Sequence, residues 1–479
     1  MKNTLGAGRR ELVPLLMASA LAVALSFHVR LRAWPETLVP AYLVSRGWVL
    51  YRDVKFAHTP LWIGFESLVA LLFRLSPASL RVLALGPALA AIVAVQVAGR
   101  RLGGSASSRA VALLFFVGTF FLWDANAVYP DVAIAALSVP AFLALRRQDR
   151  SGAVAAGLLF GCAAAVKQPA AVAGAAAVLW LALAAPRLLP RFVLAASAPL
   201  ALCAAVMAAL GAGREFFLWT VVVPLRDYRG RTNLAMNAAQ GRFVLLGLLP
   251  LFLLLALSWR MSRERRRETL LLAVLAAGFG AMAFPKFELV HLAPAVPLLA
   301  VAAGAAFDEG RSRSADAGQE GRPGPRRLAA AVPLVVIALD ALFLATDTGA
   351  GEIVYWTSPA NDSLVAALAF RPPAPLYLYG PDQNVFIRSG RVPPGGFYTN
   401  PDLWYHFRAE NLERRQIDAL KSHPETIVVY SPGGASPGEA GGELRRWIGA
   451  SFDFAEPLGQ RGARAGRFST SGTADRPRK

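Results

Sequence analysis

The sequence predicts an all-α polytopic membrane protein with about 11–13 transmembrane helices and a small C-terminal extracytoplasmic α/β domain. Three observations predict it. Apolar runs recur from Leu12 to Ala345, each near the ~20 residues that cross a ~30 Å hydrocarbon core. Apolar residue types make up 55% of the 479 residues and mean hydropathy is +0.43, rarely seen in a soluble chain of this length. After residue 346 the composition changes to short strand-like runs and mixed-charge stretches. Backbone groups in lipid must be bonded within their own segment, which favours helices. The alternating strands of about ten residues that build a membrane barrel are absent.

The first element opens with Lys2, Arg9 and Arg10, then the apolar run Leu12–Phe27. That is the shape of a signal peptide, but His28-Val29-Arg30-Leu31-Arg32 follows without a small-residue cleavage site, so an uncleaved helix is expected. The candidate spans are 12–29, 61–75, 80–98, 109–123, 129–145, 152–167, 169–185, 192–211, 242–258, 269–284, 288–306 and 328–345. Their Ala and Gly content allows close helix approach. Arginines cluster in the loops at 100–109, 146–150, 187–191, 260–267 and 311–327, which the positive-inside rule places in the cytoplasm together with the N-terminus. The loops at 124–130, 213–241 and 285–288 then face outward, as does the C-terminal domain. Only eleven of the twelve candidates can be full crossings if these charges are respected. Segment 61–75 is short, carries Glu66 and ends at Arg74, so either it is re-entrant or interfacial or one neighbouring boundary is misplaced.

The expected domains are a transmembrane unit at 1–345, with an outer loop at 30–60 and a polar, flexible cytoplasmic linker at 308–327, then an outer α/β unit at 346–460 and a disordered tail at 461–479. Residues 375–379 and 426–430 read as strands and 402–421 as an amphipathic helix. The net charge of +19 sits in short loops and matches contact with anionic membrane lipids. No aromatic-interleaved basic module points to nucleic acid. Cys162 and Cys203 lie in apolar runs, without disulfide or metal spacing.

Chemistry concentrates in outward-facing loops. The first holds Trp34-Pro35-Glu36, Gly47-Trp48-Val49-Leu50-Tyr51-Arg52-Asp53 and His58-Thr59-Pro60-Leu61. Residues 37–46 read as a short amphipathic helix in the interface, with Glu36 at its N-terminal end, where a carboxylate is favoured. The second patch is Tyr129-Pro130-Asp131 at a helix start. The third is Lys167-Gln168-Pro169, where a lysine either snorkels or meets a phosphate. The fourth, residues 213–241, includes Arg226, suited to a phosphate through forked hydrogen bonds. The fifth runs from Lys286-Phe287-Glu288 to His291, with no second ligand spaced for a metal.

In this order, Glu36, Leu50-Tyr51-Arg52-Asp53, Pro60-Leu61, Pro130-Asp131, Lys167-Gln168-Pro169 and Lys286-Phe287…His291…Pro294…Pro297 resemble the GT-C superfamily of integral-membrane glycosyltransferases. The resemblance is to the branch of protein O-mannosyltransferases and aminoarabinose transferases (glycosyltransferase family 39-like), and it spans about residues 10–305. It implies transfer of a hexose or pentose from a polyprenyl-phosphate donor to a glycan, lipid or protein hydroxyl, with inversion, at the outer face of the cytoplasmic (inner) membrane. Inversion needs a carboxylate base, and the departing phosphate needs cations. Glu36 is the implied base and Asp53 its helper. His58, Asp131, Lys167, Arg226, Lys286 and His291 are the implied substrate contacts. The lipid-linked sugar is a co-substrate, and neither cofactor nor metal is expected. Members of the branch commonly carry Asp where this chain has Glu36. A degenerate scaffold or lipid-binding member and a lipid or sugar transporter stay open as alternatives, though transporter sites lie near the bilayer midplane.

Overall fold

The structure is a computed structural model. It describes residues 2–227, 238–259, 261–283, 288–316, 325–346, 349, 351–379, 382–396, 398, 412–430, 442–458 and 463–468. The chain begins with helix α1 (Lys2–His28), strand β1 (Leu31–Ala33), α2 (Pro35–Ser45), α3 (Leu61–Phe73), α4 (Pro77–Arg101) and α5 (Ala106–Leu122). Strand β2 (Ala127–Val128) follows, then α6 (Pro130–Arg146), α7 (Arg150–Val166), α8 (Ala171–Ala184), α9 (Leu189–Ala209) and the short α10 (Gly213–Phe217) and α11 (Val223–Asp227). The bundle is completed by α12 (Ala238–Ser258), α13 (Arg263–Gly280), α14 (Val296–Asp316) and α15 (Pro325–Ala345).

Local chemistry sets the boundaries. Proline occupies the first position of α2, α4 and α6, where its missing N–H costs nothing and its fixed φ suits a helix. Ser76 and Ser79 form a reciprocal capping box on α4, and Ser105 and Asp149 cap α5 and α7. Close helix contact rests on small residues. A Cβ on Gly157 or Gly161 of α7 would come within 2.4 Å of Phe192 O or 2.3 Å of Ala196 O on α9. The span Leu289–Arg311 is 94% buried against 17% for Pro186–Ala209, so α14 is the central post and α9 lies at the periphery. Asp340 of α15 accepts from Thr119 of α5 at 2.8 Å, a polar bond inside the bundle.

Among the described residues, five helices are by length and composition long and apolar enough to cross a membrane, and shorter apolar helices accompany them. The three-stranded parallel sheet β2-β1-β3, whose third strand is β3 (Ile353–Val354), resolves the parity of the rest. Strands β1 and β2 lie at one end of the bundle, so an even number of crossings separates them. The 25-residue α4 and the 17-residue α5 supply two. Helix α3 has 13 residues, about 20 Å long at 1.5 Å per residue. It folds back on α2, with Trp62, Ile63, Glu66 and Ser67 buried and Phe65, Leu68, Leu71 and Phe73 exposed. Eight further helices, α6 to α9 and α12 to α15, again an even number, lead from β2 to β3.

The C-terminal unit contains α16 (Pro359–Ala369), β4 (Leu376–Tyr379), α17 (Asn384–Ser389), α18 (Leu412–Ser422), β5 (Ile427–Tyr430), α19 (Gly442–Ser451), β6 (Phe452–Leu458) and β7 (Ala463–Phe468). Its sheet has the order β4-β5-β7-β6, with β4 and β5 parallel. Three expectations need correction. Residues 463–468, expected in a disordered tail, form β7 and pair with both β5 and β6. The expected linker from 308 is helical up to Asp316, because α14 runs on. The helix after Glu36 is not an interfacial amphipath: Thr37 to Leu43 are all buried, because α3 and α17 cover it.

Candidate active site

The three strands of the small parallel sheet each end on an aromatic residue. β2 runs into Tyr129, β1 into Trp34 and β3 into Tyr355. Register places Ala33 opposite Val128 and Arg32 opposite Val354, so the rings form a row. Trp34 lies 5.7 Å from Tyr129 and 5.1 Å from Tyr355, centroid to centroid.

Two of these strands repeat one local design, an aromatic residue, then proline at the first helical position, then an acid: Trp34-Pro35-Glu36 and Tyr129-Pro130-Asp131. Each acid sits in a first turn, where the helix dipole favours it. Their surroundings differ. Glu36 is half-exposed. Its backbone carbonyl accepts from the Tyr398 hydroxyl at 3.4 Å. Asp131 is fully buried. Its Oδ2 accepts from Lys167 Nζ at 2.6 Å and lies 3.4 Å from His291 Nδ1. Lys167, at the C-terminal end of α7, also lies 3.2 Å from His291 Nδ1 and 4.8 Å from the Tyr129 ring centroid. His291, on a 3₁₀ turn over Leu289–Ala295, has Glu288 3.8 Å from its Nε2.

The first loop is tied to this cluster. Thr59 donates to Ala164 O at 2.7 Å, Gln168 Nε2 donates to Ala57 O at 2.6 Å, and His58 Nδ1 lies 3.3 Å from Gln168 Oε1. Burial, with the nearby Lys167 charge second, pushes the His58 imidazole down to about 3. His58 is therefore neutral at ordinary pH.

Four of the sequence candidates, His58, Asp131, Lys167 and His291, thus converge. Asp53 does not join them. Arg52 holds it bidentately, Nε to Oδ1 and Nη2 to Oδ2, both at 2.9 Å, and Val49 N donates to Oδ2 at 2.8 Å. The hydrogen bonds from Arg52 hold its carboxyl below the usual carboxylate range. Asp53 pins its own turn, together with Lys55, which donates to Tyr51 O and Arg52 O. Arg226 lies in the last turn of α11, with only its backbone described, and Lys286 lies outside the described residues. Local sequence reasoning missed Tyr355. Nothing around it resembles a motif, and only the pairing of β3 with β1 brings it to Trp34.

The C-terminal unit closes over this region. Asn384 Nδ2 donates to Ala33 O at 2.8 Å and to Tyr355 O at 2.9 Å. Gly396, at φ +77, lies so close that a Cβ there would fall 1.7 Å from Asp53 O.

The same architecture occurs in known structures. The aminoarabinose transferase ArnT from Cupriavidus metallidurans in the apo state superposes with a TM-score of 0.63 at 14% identity, over 96% of this chain and 99% of that one. The same enzyme bound to undecaprenyl phosphate gives 0.61 at 15% identity, over the same shares of each chain. The fold is that of the GT-C membrane glycosyltransferases. An oligosaccharyltransferase from Archaeoglobus fulgidus matches at a TM-score of 0.49 and 14% identity, over 87% of this chain and 67% of that one. No protein-family model and no curated protein matches the chain. With its apolar helices and GT-C fold, the chain is a multi-pass membrane protein.

Proposed function

We propose that this protein is a glycosyltransferase that moves a sugar from a polyprenyl-phosphate donor to an acceptor hydroxyl, with inversion, at the outer face of the cytoplasmic membrane. One observation carries this reading. In a GT-C fold, a half-exposed carboxylate, Glu36, stands one strand away from a buried group of Asp131, Lys167 and His291.

In this scheme Glu36 takes the acceptor's proton as its oxygen attacks the anomeric carbon. The bond from that carbon to the phosphate oxygen breaks, and the electron pair leaves with the phosphate. Lys167 faces the developing charge from a position fixed by Asp131. The Asp131–Lys167 pair is neutral as a unit, so net positive charge must come from elsewhere, and Arg226 and Lys286 are the proposed sources. His58, which is neutral, and His291 serve as hydrogen-bonding groups for sugar or phosphate oxygens. No cofactor or metal enters these steps. The undecaprenyl phosphate bound to the structurally similar aminoarabinose transferase supports a lipid-phosphate donor. The one-sided arginine loops support a cytoplasmic N-terminus and an outer C-terminal unit.

The test is sugar transfer by the purified protein in lipid nanodiscs, supplied with polyprenyl-phosphate sugars and acceptors extracted from the native membrane, read by mass spectrometry. Glu36→Gln should lower kcat by about 10²–10⁴-fold with unchanged folding. Turnover by that variant at the wild-type rate would remove Glu36 as base.

A further inference from the structure

We propose that the aromatic row Tyr129–Trp34–Tyr355 is a stacking platform for a sugar ring, with Tyr355 as its open end. This deepens the glycosyltransferase reading and rests on it for the class of substrate.

Tyr355 has φ +68, a conformation that glycine adopts freely and a bulky residue only under strain. The surrounding structure holds it there. Asn384 donates to Tyr355 O at 2.9 Å, Arg388 to Trp356 O at 2.6 Å, and Thr357 N to Ile353 O at 2.9 Å. The fold at this turn therefore calls for glycine, and the chain supplies a ring. Strain kept in place by several bonds is typical of functional positions. The ring is not a packing element, since the residue is 37% exposed and rests on Trp34.

The surroundings favour a carbohydrate. Asp382, Glu288 and Glu36 all lie within electrostatic reach of the Tyr355 hydroxyl, with Arg32 as the cation. Carboxylates accept hydrogen bonds from sugar hydroxyls but repel phosphate headgroups. A tyrosine anchoring the chain at a lipid interface would need neither this backbone nor these acids. The polarised C–H face of a pyranose or furanose suits the negative face of an aromatic ring. The row also leads from the Lys167 group to Glu36, the path a ring at the reacting centre would follow.

The ring could belong to the donor or to an acceptor glycan, and two titrations of the full-length protein in nanodiscs separate these. The first compares polyprenyl-phosphate mannose with polyprenyl phosphate. The second uses methyl mannoside, methyl glucoside and methyl arabinoside, followed by saturation-transfer NMR. Wild type and Tyr355→Phe should bind the sugar in at least one titration, with Tyr355→Gly about fivefold weaker. Loss in the first titration assigns the ring to the donor, and loss in the second to an acceptor. Tyr355→Gly, relieved of strain, should melt no lower than wild type. Equal binding by Tyr355→Gly, no sugar binding by wild type, or weakened binding together with a lower melting temperature would each overturn the platform. Binding without any transfer by wild type would sink the transferase reading alone, whereas transfer with unaltered Tyr355→Gly kinetics would sink the platform alone.

Discussion

At the scale of single residues, the decisive feature is that Asp131 and Lys167 are both buried and bonded at 2.6 Å. Removing one partner strands the other charge in a medium that solvates it poorly, which costs about 3–5 kcal/mol. Lys167→Ala or Asp131→Leu alone should therefore lower the melting temperature clearly. The double change Lys167→Met with Asp131→Leu should recover most of that loss while staying inactive. If the double variant melts as low as the singles, the two residues are not an isolated pair. His58 supplies a pH signature. Its folded pKa is pushed down to about 3 against 6.5 in the unfolded chain, so the unfolded state binds the extra proton between these values. This contribution is complete above about pH 6.5 and drains away as pH falls towards about 3. Melting of wild type should fall more steeply from pH 7.5 to pH 5 than melting of His58→Gln, and parallel profiles would refute it. These charged residues were legible in the sequence because a charge in an apolar chain stands out. The tying of Asp53 into its own turn was not, since Arg52 is adjacent in any conformation and only the folded loop shows both oxygens taken.

At the scale of elements, α2 and α3 form a hairpin at the sheet end of the bundle. Glu66 of α3 is buried and accepts from Thr37 of α2 at 3.2 Å, which fastens the first turn that presents Glu36. We predict that α3 does not cross, which puts Arg74 on the same side as Ser45. Arg74→Cys and Ser45→Cys should both react with a membrane-impermeant maleimide added outside, and labelling of the two from opposite sides would restore α3 as a span. The sequence singled out this segment as the weakest candidate crossing, because the arginine loops left room for eleven. The burial of α2 was hidden, because part of its covering comes from α17, hundreds of residues later.

At the scale of the whole molecule, the C-terminal unit is clamped to the first loop through Asn384 on Ala33, Tyr398 on Glu36, and Gly396 on Asp53. Gly396→Ala cannot keep both its φ of +77 and its closeness to Asp53 O, so the clamp should loosen at a cost of about 1–3 kcal/mol. Transfer should fall with it, while the bundle stays assembled in membranes. Unchanged kcat and melting would show the contact to be incidental. By itself the sequence determined the class of protein, the succession of helices, the strands at 376–379 and 427–430, and most of the charged residues of the site. Those properties follow from composition and local periodicity, which act over a few neighbouring residues. Only the tertiary structure decided that β1, β2 and β3 form one sheet, that their ends line up Tyr129, Trp34 and Tyr355, and that Lys167 meets Asp131. These pairings join segments far apart in the chain, and packing and hydrogen bonding in three dimensions select them.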